Sequence, residues 1–307
     1  MSVDPPPGLS ARSAREEDIP AIVGLIAACE QDADGVAEVD EADVSFERHG
    51  FDPALDTVLV FDRDALVGWA ELYLIRAEAD VHASHRDRGL GTWLLRWSED
   101  RARALGRAEI GQTKTDANTG ARDLLLVNGY QPDWVSWLIR IPLERAPGQA
   151  AAPQGISIRP YREADARDVH RVIDAAFSEW RGRGPEPYEV WASTVPAHDA
   201  FRPELSPLAF DGQELVGVVI SYDYPDAGEG WISQLATKQT HRRRGIAQAL
   251  LRTAFGWFHE QGRTVAGVST DSRTGALGLY EKVGMRVVRR YTRYLKRLDP
   301  EGVRTEG

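Results

Sequence analysis

Arg242, Arg243 and Arg244 stand together in the run HRRRGIAQALLRTAF, His241 to Phe255, and Gly245 closes the triplet. Behind them Ile246, Leu250, Ala254 and Phe258 recur at the i, i+4 spacing of an apolar helical stripe, which Gly262 stops. Ahead of them the apolar stretch WISQLATKQT reads as a strand. A basic turn therefore opens onto a helix N-terminus, where free N–H groups and the positive end of the helix dipole suit a phosphate. Gly245 permits a close backbone approach to such a ligand, and Ala247 is small enough to keep the approach open. One arginine cluster at a helix start is equally well read as a solvated face. The chain, however, builds this arrangement twice: HRDRGLGTWLLRW, residues 85–97, repeats it with Arg86, Gly89 and Gly91.

Two familiar phosphate motifs do not fit. A Walker A loop ends in Gly-Lys-Ser/Thr, which neither stretch has, and the dinucleotide pattern needs a third glycine where Leu94 and Leu250 stand. Both stretches resemble instead the acetyl-CoA loop of the GNAT (GCN5-related N-acetyltransferase) superfamily, Gln/Arg-x-x-Gly-x-Gly/Ala. They read Arg86-x-x-Gly89-x-Gly91 and Arg242-x-x-Gly245-x-Ala247.

The elements that must position these turns follow from the chain as a whole. Its 307 residues suit two domains of ordinary size, and a hydrophobic fraction of 42% is ample for two cores. A net charge of −10 argues against nonspecific nucleic-acid binding, so the arginines are read locally. Cys29 is the single cysteine; no internal disulfide is possible, a reducing cytosol fits, and its apolar run AIVGLIAAC marks it as a packing residue. The opening MSVDPPPGLS has no signal-peptide character, and no apolar run reaches the ~20 residues of a membrane helix, so a soluble, cytoplasmic protein is expected. The acidic run EQDADGVAEVDEAD reads as a solvated loop.

Pro147 to Gln154, small, polar and proline-bounded, reads as a linker, after which the sequence begins again. GLSARSAREED from Gly8 matches GISIRPYREAD from Gly155, and FDRDALVG from Phe61 matches FDGQELVG from Phe210. HRDRGLG from His85 matches HRRRGIA from His241, and TDANTGA from Thr115 matches TDSRTGA from Thr270. The order is kept with small loop changes, which signals duplication of one α/β unit. Each copy reads strand, helix, variable segment, three strands, helix, strand, helix, strand. The expected domains are residues 1–146 and 155–307, with the linker at 147–154.

That order, with both loops, is similar to tandem GNAT proteins of the mycothiol synthase-like type. The resemblance implies an α/β (α+β) fold of two GNAT domains, each a mixed and mostly antiparallel sheet flanked by helices. Its fourth and fifth strands splay apart, and acetyl-CoA lies in the gap. The cofactor residues it implies are Arg242, Arg243, Arg244, Gly245, Ile246, Ala247 and Gln248 in the second copy, with Leu235, Ala236 and Thr237 at the strand end. In the first copy they are Val81, Arg86, Asp87, Arg88, Gly89, Leu90 and Gly91. Asn118 matches an asparagine that many members turn toward CoA, and Arg273 fills its place in the second copy, either near a CoA phosphate or in solvent.

In that family a tyrosine on the short helix after the fifth strand donates a proton to the departing thiolate, and GALGLYEKVGM puts Tyr280 there. A phenol stays protonated at neutral pH yet can donate to a developing thiolate. Aligned on Gly129 and Gly284, the first copy has Leu125 in that place and has lost the acid. The family's glutamate on the fourth strand falls at Trp231, so Glu229, on the same face by alternation, is the substitute base acting through water. Phe177, Trp180, Tyr188 and Trp191 are candidate walls for the acceptor, and Glu179, Glu186 and Glu189 could steer its ammonium.

The expected protein is thus an acetyl-CoA-dependent N-acetyltransferase that uses no metal. Direct attack of a small-molecule primary amine takes place in a ternary complex in the second copy. The first copy is then a pseudo-copy able to hold CoA. No nucleic-acid or membrane partner is expected, and the chain is a monomer or homodimer. Two readings compete with this: a non-catalytic acyl-CoA-binding sensor, which the lost glutamate favours, and an acidic scaffold with vestigial loops.

Overall fold

The computed structural model describes residues 4–144, 152–180 and 183–298. It divides into two compact units, residues 1–135 with 291–307, and residues 136–290. We call them unit 1 and unit 2.

The elements of the first copy are β1 (Ser10–Arg12), α1 (Ile19–Asp34), α2 (Pro53–Asp56), β2 (Thr57–Asp62), β3 (Ala65–Tyr73) and β4 (Arg76–Val81). They continue with α3 (Leu90–Ala104), β5 (Glu109–Thr115), α4 (Thr119–Val127) and β6 (Gln131–Pro142). The second copy runs β7 (Ile156–Pro160), α5 (Ala166–Phe177), α6 (Tyr188–Thr194), β8 (Pro207–Asp211), β9 (Glu214–Tyr224) and β10 (Glu229–Thr237). After these come α7 (Ile246–Glu260), β11 (Val265–Asp271), α8 (Leu277–Lys282) and β12 (Arg286–Arg297). This is the mixed, mostly antiparallel α/β organisation that the family resemblance implied.

The compact units are not the contiguous halves expected from the repeat. In unit 1 the strand order is β1-β2-β3-β4-β5, followed by residues 291–297 of β12, which pair antiparallel with β5 from Tyr291↔Thr115 to Arg297↔Glu109. In unit 2 the order is β7-β8-β9-β10-β11, followed by residues 136–142 of β6, antiparallel to β11 from Ser136↔Asp271 to Pro142↔Val265. Each copy's last strand thus completes the sheet of the other unit. Side chains fasten both exchanges. Thr292 donates to Asp116 at 2.6 Å and Lys296 pairs with Glu99 at 2.8 Å in unit 1, and Arg140 pairs with Glu229 at 2.8 Å in unit 2. Of the expected linker, residues 147–151 lie outside the described residues.

In both units one helix sits directly on the sheet and carries the basic turn at its N-terminus. Gly217 on β9 is why α7 can lie so close: a Cβ there would meet Ile246 at 2.8 Å and Leu250 at 2.9 Å. Its counterpart Gly68 on β3 meets Leu90 at 3.0 Å and Leu94 at 3.4 Å. Leu250, Ala254, Phe255 and Phe258 are wholly buried in the core of unit 2, as the helical stripe required. The other face of that sheet packs on α5 and α6 through Val169, Ile173, Trp191, Val218 and Ala236. No helix among the described residues is long and apolar enough to cross a membrane.

Candidate active site

The site of unit 2 is made by two parallel strands that separate. β10 and β11 pair only from Glu229↔Val265 to Ile232↔Val268. Beyond Ile232, β10 continues along β9 to Thr237, and β11 continues along β6 to Asp271. The separation begins at a β-bulge: Ile232 faces Ser221 and Gln234 faces Ile220, leaving Ser233 as the extra residue. A cleft of about 980 Å³ opens there. Its walls include Ser233, Gln234, Leu235, Ala236 and Thr237 from β10, and Val268, Ser269, Thr270 and Asp271 from β11.

The basic turn closes one end of this cleft. Gly245 is the N-cap of α7 with φ 81° and ψ 2°, and Arg243 before it also lies in the left-handed region at φ 62°. A Cβ on Gly245 would meet only Pro153, at 3.8 Å, so the glycine is required by backbone conformation. Arg242, Arg243, Gly245, Ile246, Ala247 and Gln248 all line the cleft. The Ile246 side chain is buried in the core, so its contribution to the cleft is backbone. Arg242 braces the turn: its Nε donates to the Thr237 carbonyl at 3.3 Å and its two Nη atoms grip Glu179 at 2.7 and 2.8 Å. That contact holds the Glu179 carboxyl below its usual range. Arg244 turns away to Asp211 at 3.2 Å and does not line the cleft. Arg273 folds back onto Asp271 at 2.6 Å and lies outside the lining as well. The free N–H groups at the start of α7, with Arg243 beside them, give this end of the cleft a positive character that suits an anion.

Tyr280 faces the same cleft from α8, with 6% of its surface exposed. Burial pushes its phenol up to about 12. At neutral pH it is therefore a protonated donor.

Glu229 is a correction. It starts β10 on the far side of the bulge, does not line the cleft, and is held by Arg140 through Nε–Oε1 at 2.8 Å and Nη2–Oε2 at 3.0 Å. It does share the face of Trp231, as alternation required, but at the stretch where β10 and β11 are still paired. The acceptor walls divide in two. Phe177 and Trp180 line the cleft as a stacked pair, 4.3 Å between centroids, with the Arg183 guanidinium 4.8 Å over the Phe177 ring. Trp191 is wholly buried in the core and Tyr188 packs beside it, so neither is a wall. Of the three glutamates, Glu179 alone lines the cleft, and it is engaged by Arg242.

The sequence reasoning missed Gln234, a polar residue in an apolar strand. It lines the cleft, and its Oε1 accepts from the buried Trp191 Nε1 at 3.1 Å. The misplaced polar residue was the available signal.

In unit 1 the loop keeps its shape: Asp87 has φ 59° and Gly89, the N-cap of α3, has φ 82°. Arg86 donates through Nε to the Val81 carbonyl at 3.3 Å and pairs with Asp32, as Arg242 does with Thr237 and Glu179. β4 and β5 part after a single pair, Arg76↔Gly111. Asn118 caps α4, its Oδ1 accepting from Ala121 N at 3.0 Å, and this is its structural role. Leu125 is packed in the core. Arg88 directly precedes Gly89, Gly91 lies in the first turn of α3, and Leu90 is buried under the sheet.

The chain's likenesses agree with this geometry. The acetyltransferase (GNAT) family model matches it twice, over residues 19–130 and 168–285. A mycothiol acetyltransferase from Nocardioides sp. is 28% identical over 291 residues, covering 87% of this chain and 93% of the relative. A crystal structure of a GCN5-related N-acetyltransferase from Sphaerobacter thermophilus is 31% identical with a TM-score of 0.80, covering 96% of this chain and 98% of that one. A tandem GNAT protein from the clavulanic acid biosynthesis pathway has a TM-score of 0.74 at 15% identity, covering 96% and 100%, and shows the fold alone.

Proposed function

The chain belongs to the acetyltransferase (GNAT) family, and from that premise we propose that unit 2 transfers an acetyl group from acetyl-CoA to the primary amine of a small molecule. The observation that carries this is the meeting of the basic turn and Tyr280 in one cleft between diverging strands. The cleft suits CoA. The N-terminus of α7 and Arg243 receive the pyrophosphate, and the separated edges at Leu235–Thr237 and Val268–Asp271 offer backbone groups to the pantetheine arm.

Bound acetyl-CoA supplies the activated acetyl group. Tyr280 holds its proton on Oη at neutral pH and gives it to the departing sulfur. Phe177 and Trp180 form the apolar side on which the acceptor rests. Attack by the amine is direct, in a ternary complex. The only cysteine, Cys29, lies in unit 1, where burial pushes its thiol up to about 11, so it offers no thiolate for a covalent route. With Glu229 tied to Arg140, the amine's proton leaves through water, and the amine that reacts is the fraction already deprotonated.

Free-thiol release from acetyl-CoA with a panel of small amines tests the proposal. Amine-dependent release that falls roughly 10²-fold in Tyr280→Phe, with CoA affinity kept, is the expected result. The tied-up Glu229 favours one other reading, a CoA-binding sensor without chemistry. Tight CoA binding with no thiol release for any amine would select it.

A further inference from the structure

The gap between β4 and β5 in unit 1 contains a side chain that the gap in unit 2 does not. Lys114, on β5, sends its Nζ across to the carbonyl of Ala79 on β4 at 2.6 Å and to Asp80 Oδ1 at 3.3 Å. The other oxygen of Asp80 accepts from Trp69 Nε1 at 3.3 Å. Lys114 and Asp80 are 12% and 17% exposed, so the ammonium is held in a mostly enclosed hydrogen-bonded network. By the repeat, Lys114 corresponds to Ser269, and Ala79 corresponds to Leu235. Both Ser269 and Leu235 line the open cleft of unit 2. The bond from Arg86 to the Val81 carbonyl has its equal in the bond from Arg242 to Thr237, so that bond is common to both gaps, whereas the lysine is found in only one.

We propose that Lys114 closes the unit 1 groove by occupying the Ala79 carbonyl, so that the chain binds a single CoA, in unit 2. The inference rests on the reading that the gap between diverging strands is where the pantetheine arm lies. A pantetheine amide needs a backbone acceptor on the fourth strand, and in unit 1 a charged donor already holds it. Displacing Lys114 would leave an ammonium and the Asp80 carboxylate unpaired in an enclosed site. The basic turn of unit 1 is therefore a shaped anion site at the head of a filled groove.

Calorimetry on the full chain reads the stoichiometry. One CoA per chain is expected for the unaltered protein, none for Gly245→Glu, and two for Lys114→Ser, which copies Ser269. Binding of two CoA by the unaltered chain, or one by a folded Lys114→Ser, would overturn the inference. Heat that survives Gly245→Glu would overturn it as well, while leaving acetyl transfer standing. Silence from the unaltered chain together with binding by Lys114→Ser would support the closure and defeat the reading of the unit 2 cleft. Should Lys114→Ser not fold, reductive methylation of the unaltered chain decides. The chain has four lysines, Lys114, Lys238, Lys282 and Lys296, so each is separately readable. Lys114 should react slowly and identically with and without CoA, and a CoA-dependent change there would contradict the closure. Lys282, which lines the unit 2 cleft, marks the occupied site.

Discussion

Unit 1 and unit 2 present the same basic turn on the same kind of helix start, with Gly89 and Gly245 at φ 82° and 81° and an arginine braced to a carboxylate in each. They differ behind the turn. Unit 2 has a bulge at Ser233 and Tyr280 facing the cleft. Unit 1 has an unbulged β4, Lys114 across the gap, and Leu125 in the core. A loop can thus be kept because it is part of the packing. Gly68 lets α3 settle on β3, and His85 ties the turn to Asp62 at 3.0 Å, as His241 ties to Asp211 at 3.4 Å. Persistence of the motif reports the architecture, and the residues behind it report the chemistry.

The harshest way to break this comparison is to treat the two turns alike. Gly245→Glu should abolish CoA binding and acetyl transfer, because a side chain at φ 81° both strains the turn and fills the anion site. Gly89→Glu should leave both unchanged in protein that folds. Equal losses would mean that the two grooves are equivalent after all. The next contrast lies four residues before each helix-ending glycine. Tyr280→Phe should cost roughly 10² in turnover with little effect on stability. Leu125→Ala should cost ~2–5 kcal/mol of unfolding free energy in denaturant melts, with turnover of the folded protein kept.

Tyr280 also predicts a pH effect that Leu125, in its place in unit 1, cannot supply. Its phenol titrates near 10 when unfolded and near 12 when folded, so its contribution is whole below pH 10 and declines as pH rises from 10 to 12. Stability measured across that window should fall less steeply in Tyr280→Phe than in the unaltered chain. The smallest effect tests what the copies share. Arg12 beside Asp18 and Arg159 beside Asp165 hold those carboxyls below the usual range in the same place of each repeat. Their contribution is present above the ordinary carboxylate range and lost as pH falls through the lowered values. Arg12→Ala and Arg159→Ala should each cost at most ~1 kcal/mol at neutral pH, since both arginines are partly exposed. A large difference between them would show that the repeats have diverged even where the sequence matches.

Much of this was legible in the chain. The two turns, the helices behind them and the hairpins follow from short-range pattern and the repeat, and the place of Tyr280 from the family resemblance. Glu229 was misplaced because alternation gives a residue's face and not its distance along the strand: it shares the face of Trp231 but sits where β10 and β11 are still paired, held by Arg140. Trp191 was misread as a pocket wall because an aromatic near a site looks the same in sequence whether it faces the ligand or supports Gln234. Asn118 begins a helix, and its capping role competes with any ligand role at the same position. Lys114 in EIGQTKT carries no local sign of its role, because its partner on β4 is 35 positions away. The strand exchange was invisible for a different reason. WVSWLIRI and the last strand of the second copy carry similar patterns, and either would complete either sheet by local rules.

That exchange governs when the protein can acquire its structure during synthesis. Thr292 and its partner Asp116 are separated by 176 positions, so β5 waits for the ribosome to deliver Tyr291–Arg297 before its open edge is covered. Closing so long a span adds little to the equilibrium cost, since that cost grows only with the logarithm of the span. Its burden falls on time, because a nascent unit 1 exposes an unpaired strand edge while the whole of unit 2 is being translated. β6, by contrast, is already made when β11 emerges, so unit 2 can close on a strand that has been waiting for it. The copy assigned the chemistry is therefore the first whose sheet can be finished, and the older stretch of chain is the last to settle.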